Sequence, residues 1–156
     1  MELIAIDWDV VLRNFSRILI AFVLTVPIAF ERMRRTRSIG LRTYPIVGMA
    51  SAGFILIAQS LPGVTSEGVV RALQGLIAGI GFIGGGAILK RGTDVRGLAT
   101  AASFWNTGAI GAAVALDRLE IAIVLAFLNF ATLFVLTPVA DDIKNGSSEG
   151  EKVSSE

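Results

Sequence analysis

Glu31 and Asp94 are the two residues of this sequence whose type and setting suggest metal chemistry. Each lies in a short charged stretch after an apolar segment, "ERMRRTRSIGLR" (31–42) or "KRGTDVRG" (90–97). Mg²⁺ prefers oxygen ligands, commonly one or two carboxylates together with water. The same two stretches contain eight lysines and arginines, however, and this positive field repels a divalent cation. The pattern therefore disfavours a dedicated magnesium cage, and the metal stays unassigned.

The residues that most enzymes use are missing from the sequence. There is no cysteine and no histidine, which excludes disulfides, thiolate chemistry, Cys/His metal sites and Ser–His catalysis. A phosphate-binding loop and paired buried carboxylates are also absent. We therefore expect a protein that is not an enzyme and needs no cofactor. Nucleic acid is not an expected partner, because the arginines adjoin apolar segments and are not spread over one face.

The composition is that of a membrane protein. Hydrophobic residues make up 53% of the 156 residues, and the mean hydropathy is +0.70. A soluble domain of this size could not bury so much apolar material. We predict an all-α, polytopic membrane bundle of about five transmembrane helices in residues 1–140, followed by a disordered polar tail in residues 141–156. The five predicted spans are 15–30, 44–61, 69–89, 98–116 and 119–139.

Glycine and alanine are concentrated in the third and fourth predicted spans. Small residues let helices approach closely in lipid, so we expect both spans to be central, with several neighbours. Leucine at Gly79 or Gly85 should then be more damaging than leucine at Ala122 in the fifth span. The alternative is that "GFIGGG" is an unwound element beside a path. The candidates for packing or path lining are Gly75, Gly79, Gly81, Gly84, Gly85, Gly86, Trp105, Asn106, Gly108 and Gly111.

Three segments of the sequence resemble the MgtC/SapB family of bacterial inner-membrane proteins. They are "ERMRRTRSIGLRT" (31–43), "GIGFIGGGAILKRGTDVRGLATAASFW" (79–105) and "TGAIGAA" (107–113), and the resemblance extends from about Phe15 to Leu136. It implies a multi-pass inner-membrane protein that takes part in adaptation to low magnesium and, in pathogens, in survival inside phagocytes. One member is linked to control of the membrane ATP synthase. Longer members carry a soluble C-terminal domain that this sequence does not contain.

Two functions follow from the resemblance and the glycine pattern. The first is a non-enzymatic regulator that binds other membrane complexes. The alternative is a small oligomeric ion transporter or channel whose glycine-rich helices line the path. The expected partners are the lipid bilayer, further copies of the chain in a homo-oligomer, and another membrane protein.

Charged residues close to the ends of the predicted spans form a second group of candidates. An unpaired charge near hydrocarbon is costly, so we expect the acids to pair with arginines. Such a network either fixes the register of the helices or forms a docking face. The predicted cytoplasmic charged network consists of Glu31, Arg32, Arg42, Asp94 and Arg96.

The distribution of basic residues predicts the orientation of the bundle. The first and third loops carry eight lysines and arginines, whereas the second and fourth carry one. The positive-inside rule then places the N-terminus outside and the C-terminus in the cytoplasm. A cytoplasm-dependent reporter fused after Lys144 should be active. Activity of a periplasm-dependent reporter at this position would refute the orientation.

Overall fold

The computed structural model describes residues 6–35, 41–92 and 94–153 of the chain. Most of these residues are helical, which confirms the predicted all-α bundle. The helices and strands are α1 (Trp8–Arg35), α2 (Thr43–Ser60), α3 (Ser66–Gly86), β1 (Leu89–Arg91), β2 (Asp94–Arg96), α4 (Leu98–Ala115) and α5 (Leu119–Val153).

Side chains fix the beginnings of two helices. The Asp7 carboxylate accepts hydrogen bonds from the backbone N–H groups of Asp9 and Val10, which begins α1. The Thr65 hydroxyl accepts a 3.4 Å bond from the backbone of Gly68 and caps α3. At the other end of the chain, α5 continues as a helix to Val153, so its backbone extends through most of the predicted tail. The division into membrane domain and tail stays a prediction.

Four of the described helices, α1, α2, α3 and α5, are long and apolar enough to cross a membrane. In α5 the apolar part is Leu119–Val139. The fourth predicted span, α4, is not in this set, because Asn106 and the serine, threonine and glycine residues lower its mean hydropathy. Its position explains why this composition is tolerated. It packs against α1, α2, α3 and α5, so neighbouring helices cover most of its surface.

The closest helix crossing joins α2 to α4 through two glycines. A Cβ atom on Gly111 would clash with the carbonyl oxygen of Gly48 and lie 2.8 Å from Ser51 Cβ. On the other side of α2, a Cβ on Gly48 would lie 2.9 Å from Thr25 Cγ2 in α1. The two glycines therefore allow α1, α2 and α4 to pack with their backbones close together. Gly48 was not among the residues selected from the sequence.

The predicted central position is correct for α4 but wrong for α3. Only Ile80 and Gly84 are buried in α3, and only 11% of its apolar window is buried in the chain. Gly84 contacts Ala101, and Gly108 of α4 receives the Ile80 side chain. A different group of glycines has open space where a Cβ would be: Gly75, Gly79, Gly81, Gly85 and Gly86. Close packing within one chain does not require glycine at these five positions.

An ion pair lies at the C-terminal end of α4. Arg17 of α1 donates two hydrogen bonds to the Asp117 carboxylate, at 2.5 and 2.6 Å. Asp117 lies in the turn between α4 and α5 and has a φ of +58°, in the left-handed region where Asp and Asn are enriched. The pair connects the first helix to the last turn of the bundle.

The packing reverses the order in which the sequence ranks leucine substitutions by their effect on stability. Gly111→Leu should destabilise the protein by at least about 3 kcal/mol, because the side chain has no space between α2 and α4. Ala122→Leu should cost about 1–3 kcal/mol, because Ala122 is fully buried. Gly79→Leu should change the stability of the isolated chain by less than about 0.5 kcal/mol. Thermal unfolding in detergent checks this order, and a larger effect at Gly79 than at Gly111 would refute it.

Candidate functional site: a buried arginine between three helices

A short β-hairpin positions one end of α4. β1 pairs with β2 in antiparallel register, with Leu89 opposite Arg96 and Arg91 opposite Asp94. Gly97 follows with a φ of +90°, and a side chain there would clash with the carbonyl oxygen of Ala87. The hairpin thus returns the chain to the end of α3 and starts α4 beside it.

At this end of the bundle, two charged residues of α1 are removed from solvent. Arg32 is 7% exposed and Glu31 is 4% exposed. Nη2 of Arg32 donates a hydrogen bond to Oγ1 of Thr100 in the first turn of α4. Glu31, Arg32 and Arg96 each have a polar or electrostatic partner. A buried charge is tolerated when it is paired and hydrogen-bonded, so these contacts fix α1 against α4.

Tyr44, from the first turn of α2, completes the cluster. It is fully buried, and its ring stacks on Phe104 of α4 with 4.6 Å between centroids and 24° between planes. The hydroxyl group lies close to the side chains of Arg32 and Thr100, but its geometry does not meet that of a hydrogen bond with any residue in the described part of the chain. The ring contact therefore holds Tyr44 in place. We call Arg32, Tyr44, Thr100 and Phe104 the arginine cluster.

The predicted charged network is only partly represented in these contacts. Glu31 and Arg32 are buried, whereas Arg42, just before α2, and Arg96, in β2, are exposed. No hydrogen bond or ion pair of the Arg42 side chain occurs among residues 6–35, 41–92 and 94–153. The Asp94 side chain lies outside the described part. The full five-residue network therefore stays a prediction.

The other predicted residues, Trp105 and Asn106, lie on the far side of α4 from the cluster's helices. Trp105 is 55% exposed and lines an apolar groove of about 260 Å³ with residues of α3 and α5. Asn106 Nδ2 donates a 3.2 Å hydrogen bond to the carbonyl oxygen of Leu125 in α5. This bond connects α4 to α5, and the roles of Trp105 and Asn106 in packing or path lining stay predictions.

Three members of the cluster were missed by the sequence reasoning. Tyr44 is the single tyrosine of the chain, at the start of a predicted span and followed by Pro45. Thr100 follows the last arginine before α4 by four residues. A buried tyrosine usually needs a polar neighbour, and this property was the one signal in the sequence that could have pointed to a polar contact of Tyr44. Nothing in the spacing indicates that Arg32 reaches a residue 68 positions away.

The chemistry that this arrangement supports is electrostatic. The site holds a guanidinium group at a fixed position, and the preceding residue of the helix, Glu31, is also buried. In the described part of the chain, no three Asp or Glu side chains come together as a metal-binding group would. The cluster joins α1, α2 and α4 at one end of the bundle.

The arginine–threonine contact can be tested by an isosteric change. Thr100→Val removes the acceptor of a buried guanidinium, and should destabilise the protein by about 1.5–3 kcal/mol. Thr107→Val is the matched control, because the buried Thr107 hydroxyl donates only to the carbonyl oxygen of Ser103 in its own helix. Its cost should stay below about 1 kcal/mol. Equal unfolding midpoints in detergent for the two variants would contradict the assigned contact.

Several curated proteins are similar to this chain in sequence over most of its length. Protein SrpB of Synechococcus elongatus is 34% identical over 129 residues, which cover 75% of this chain and 71% of SrpB. Protein MgtC of Brucella abortus is 36% identical over 119 residues, 76% of this chain and 49% of the relative. Protein MgtC of Salmonella typhimurium is 34% identical over 137 residues, 86% of this chain and 58% of the relative.

The chain spans about half the length of the Brucella protein. No solved structure matches the chain. The model of the MgtC family matches residues 18–141, which include the arginine cluster and all of α2, α3 and α4. The chain is a membrane protein that belongs to the MgtC family.

Proposed function

We propose that this protein is a non-enzymatic regulator in the bacterial inner membrane, which supports growth at low magnesium by binding another membrane protein. Membership of the MgtC family supports the link to low magnesium. The location in the inner membrane rests on the four apolar helices and on the same membership. The binding surface is the open glycine face of α3.

The main support for this function is a row of residues on α3 whose small or exposed side chains are not needed for packing within the chain. Gly75, Gly79, Phe82 and Gly86 follow a spacing of four, three and four residues, so they share one side of the helix. We call them the α3 face. Its glycines have open space at the Cβ position, and Phe82 is 86% exposed. A glycine that faces lipid adds no packing energy, whereas a glycine that faces another helix permits contact between the two backbones.

A groove beside the α3 face has the shape that a partner helix needs. A cavity of about 540 Å³ lies between α2 and α3, and Gly75 and Gly79 form part of its lining. The other lining residues include Phe54, which is 60% exposed, and Ile83, which is 47% exposed. Large apolar side chains beside small ones provide complementary ridges and hollows for helix packing. This surface supports the association of a further transmembrane helix.

The arginine cluster gives the proposed regulator a fixed framework. It holds α1, α2 and α4 together at one end, while the glycine crossing holds α2 and α4 together within the bundle. The α3 face can then change its partner without a change of the core. A fixed guanidinium in this core also disfavours a cation path through the centre of a single chain.

The alternative function is an oligomeric ion transporter or channel. The same observation favours it, because the α3 faces of several copies would border a common path. Reconstitution of the purified protein in liposomes distinguishes the two functions. The regulator should leave Mg²⁺ flux at the level of empty liposomes. If the unchanged protein carries Mg²⁺ across the liposome membrane and Gly79→Leu abolishes this flux, the protein is a transporter and not a regulator.

Growth at low magnesium tests the α3 face in cells. In a strain that depends on this protein, Gly79→Leu should reduce growth to the level of the deletion strain, with a normal amount of protein in the membrane. The leucine fills the space that the partner helix requires. Gly81→Leu is the matched control, because Gly81 also has open space but lies on another side of α3. Normal growth of both variants would show that the α3 face has no such role.

A further inference from the structure

The surface between α4 and α5 contains a polar cleft that neither the arginine cluster nor the α3 face uses. Its cavity has a volume of about 290 Å³. Ala99 and Ala102 of α4 and Leu128 of α5 border its exposed opening. Four of its residues carry polar side chains, and we call these the cleft residues: Ser103, Asn106, Asn129 and Thr132.

The hydrogen bonds inside the cleft leave one donor unused. Ser103 Oγ lies 2.8 Å from the Ala99 carbonyl oxygen and 3.3 Å from Asn129 Oδ1, so its single proton is shared between two acceptors. Asn106 Nδ2 donates to the Leu125 carbonyl oxygen at 3.2 Å. The Asn129 Nδ2 group is buried, and no residue of the described part of the chain accepts a hydrogen bond from it. A buried amide without an acceptor is costly, so a partner at the opening of the cleft, toward which the Asn129 amide can turn, would relieve this cost.

The depth of the cleft limits what that partner is. Asn129 is the eleventh of the 21 residues of the apolar segment Leu119–Val139, which places it halfway across the hydrocarbon layer. Asn106 is the ninth of the 18 residues of α4, also near the middle of its helix. Lipid chains at this depth offer no hydrogen-bond acceptor. The acceptor must therefore come from a protein that reaches the same depth.

We propose that the α4–α5 cleft is the interface of a symmetric dimer of this chain. A two-fold axis along the membrane normal keeps every residue at its own depth, so the cleft residues of one copy meet those of the other. An amide group offers both a donor and an acceptor, and therefore one asparagine can pair with another. The exposed Ala99 and Ala102 allow the two α4 helices to approach closely.

The composition of α4 agrees with this dimer. α4 is rich in small residues and carries Asn106 near its middle, and Ala99 and Ala102 on its α5 side are exposed in the single chain. A second copy covers this strip together with the α5 residues that line the cleft. The proposal does not depend on the α3 face, which lies on another helix.

Cysteine cross-linking tests the interface, because the natural chain contains no cysteine. Single variants Ala102→Cys and Thr132→Cys are oxidised in native membranes. Val23→Cys of α1, which is 56% exposed, controls for random collisions, and Gly79→Cys reports on the α3 face. Disulfide-linked dimers should form at least fivefold faster at positions 102 and 132 than at position 23. Equal rates at 102, 132 and 23, or cross-links confined to position 79, would overturn the proposal.

Two further substitutions distinguish a loss of dimer formation from a loss of folding. In the Thr132→Cys background, Asn129→Leu should reduce dimer formation at least fivefold, because it removes the unused donor. Ala102→Leu should have the same effect by blocking the approach of the two helices, and it leaves every hydrogen bond in place. Unfolding of each variant in detergent shows whether the single chain is intact. Unchanged cross-linking in both folded variants would contradict the proposed interface.

Discussion

The crossing of α2 and α4 at Gly48 and Gly111 is the contact on which the rest of the bundle depends. Only glycine fits at Gly111, because its Cα lies against the backbone of α2. The opposite side of Gly48 receives Thr25 of α1, so three helices share one point of close approach. In lipid, where burial of apolar side chains contributes little, such backbone contacts provide the packing energy.

This crossing also explains how an arginine can be buried at the end of the bundle. Because α1, α2 and α4 are held close together, Arg32, Tyr44 and Thr100 meet although they lie far apart in the sequence. The stacked rings of Tyr44 and Phe104 occupy the space that the helices leave. The core is therefore rigid in its centre and at this end. The surfaces with unused glycine or unused hydrogen-bonding groups lie outside it, on α3 and in the α4–α5 cleft.

The sequence predicts the number and order of the helices well, because hydropathy depends on local composition. It also predicts the central position of α4 correctly from its small residues. The same reasoning fails for α3, because enrichment in glycine indicates close approach without saying to which molecule. Gly48 was overlooked, although Gly48 and Ala52 have the spacing of two small residues on one side of a helix. The partners of Arg32 depend on tertiary packing, which residue spacing does not encode.

The glycines of α2 and α4 pack within the chain, whereas we propose that those of the α3 face pack against another protein. The rate at which a membrane-permeant thiol reagent modifies a cysteine at position 79 tests this claim most directly. The account predicts rapid modification in the purified single chain and at least fivefold slower modification in native membranes, with position 81 modified rapidly in both. Slow modification at position 79 in the single chain, or equally rapid modification in native membranes, would contradict the claim.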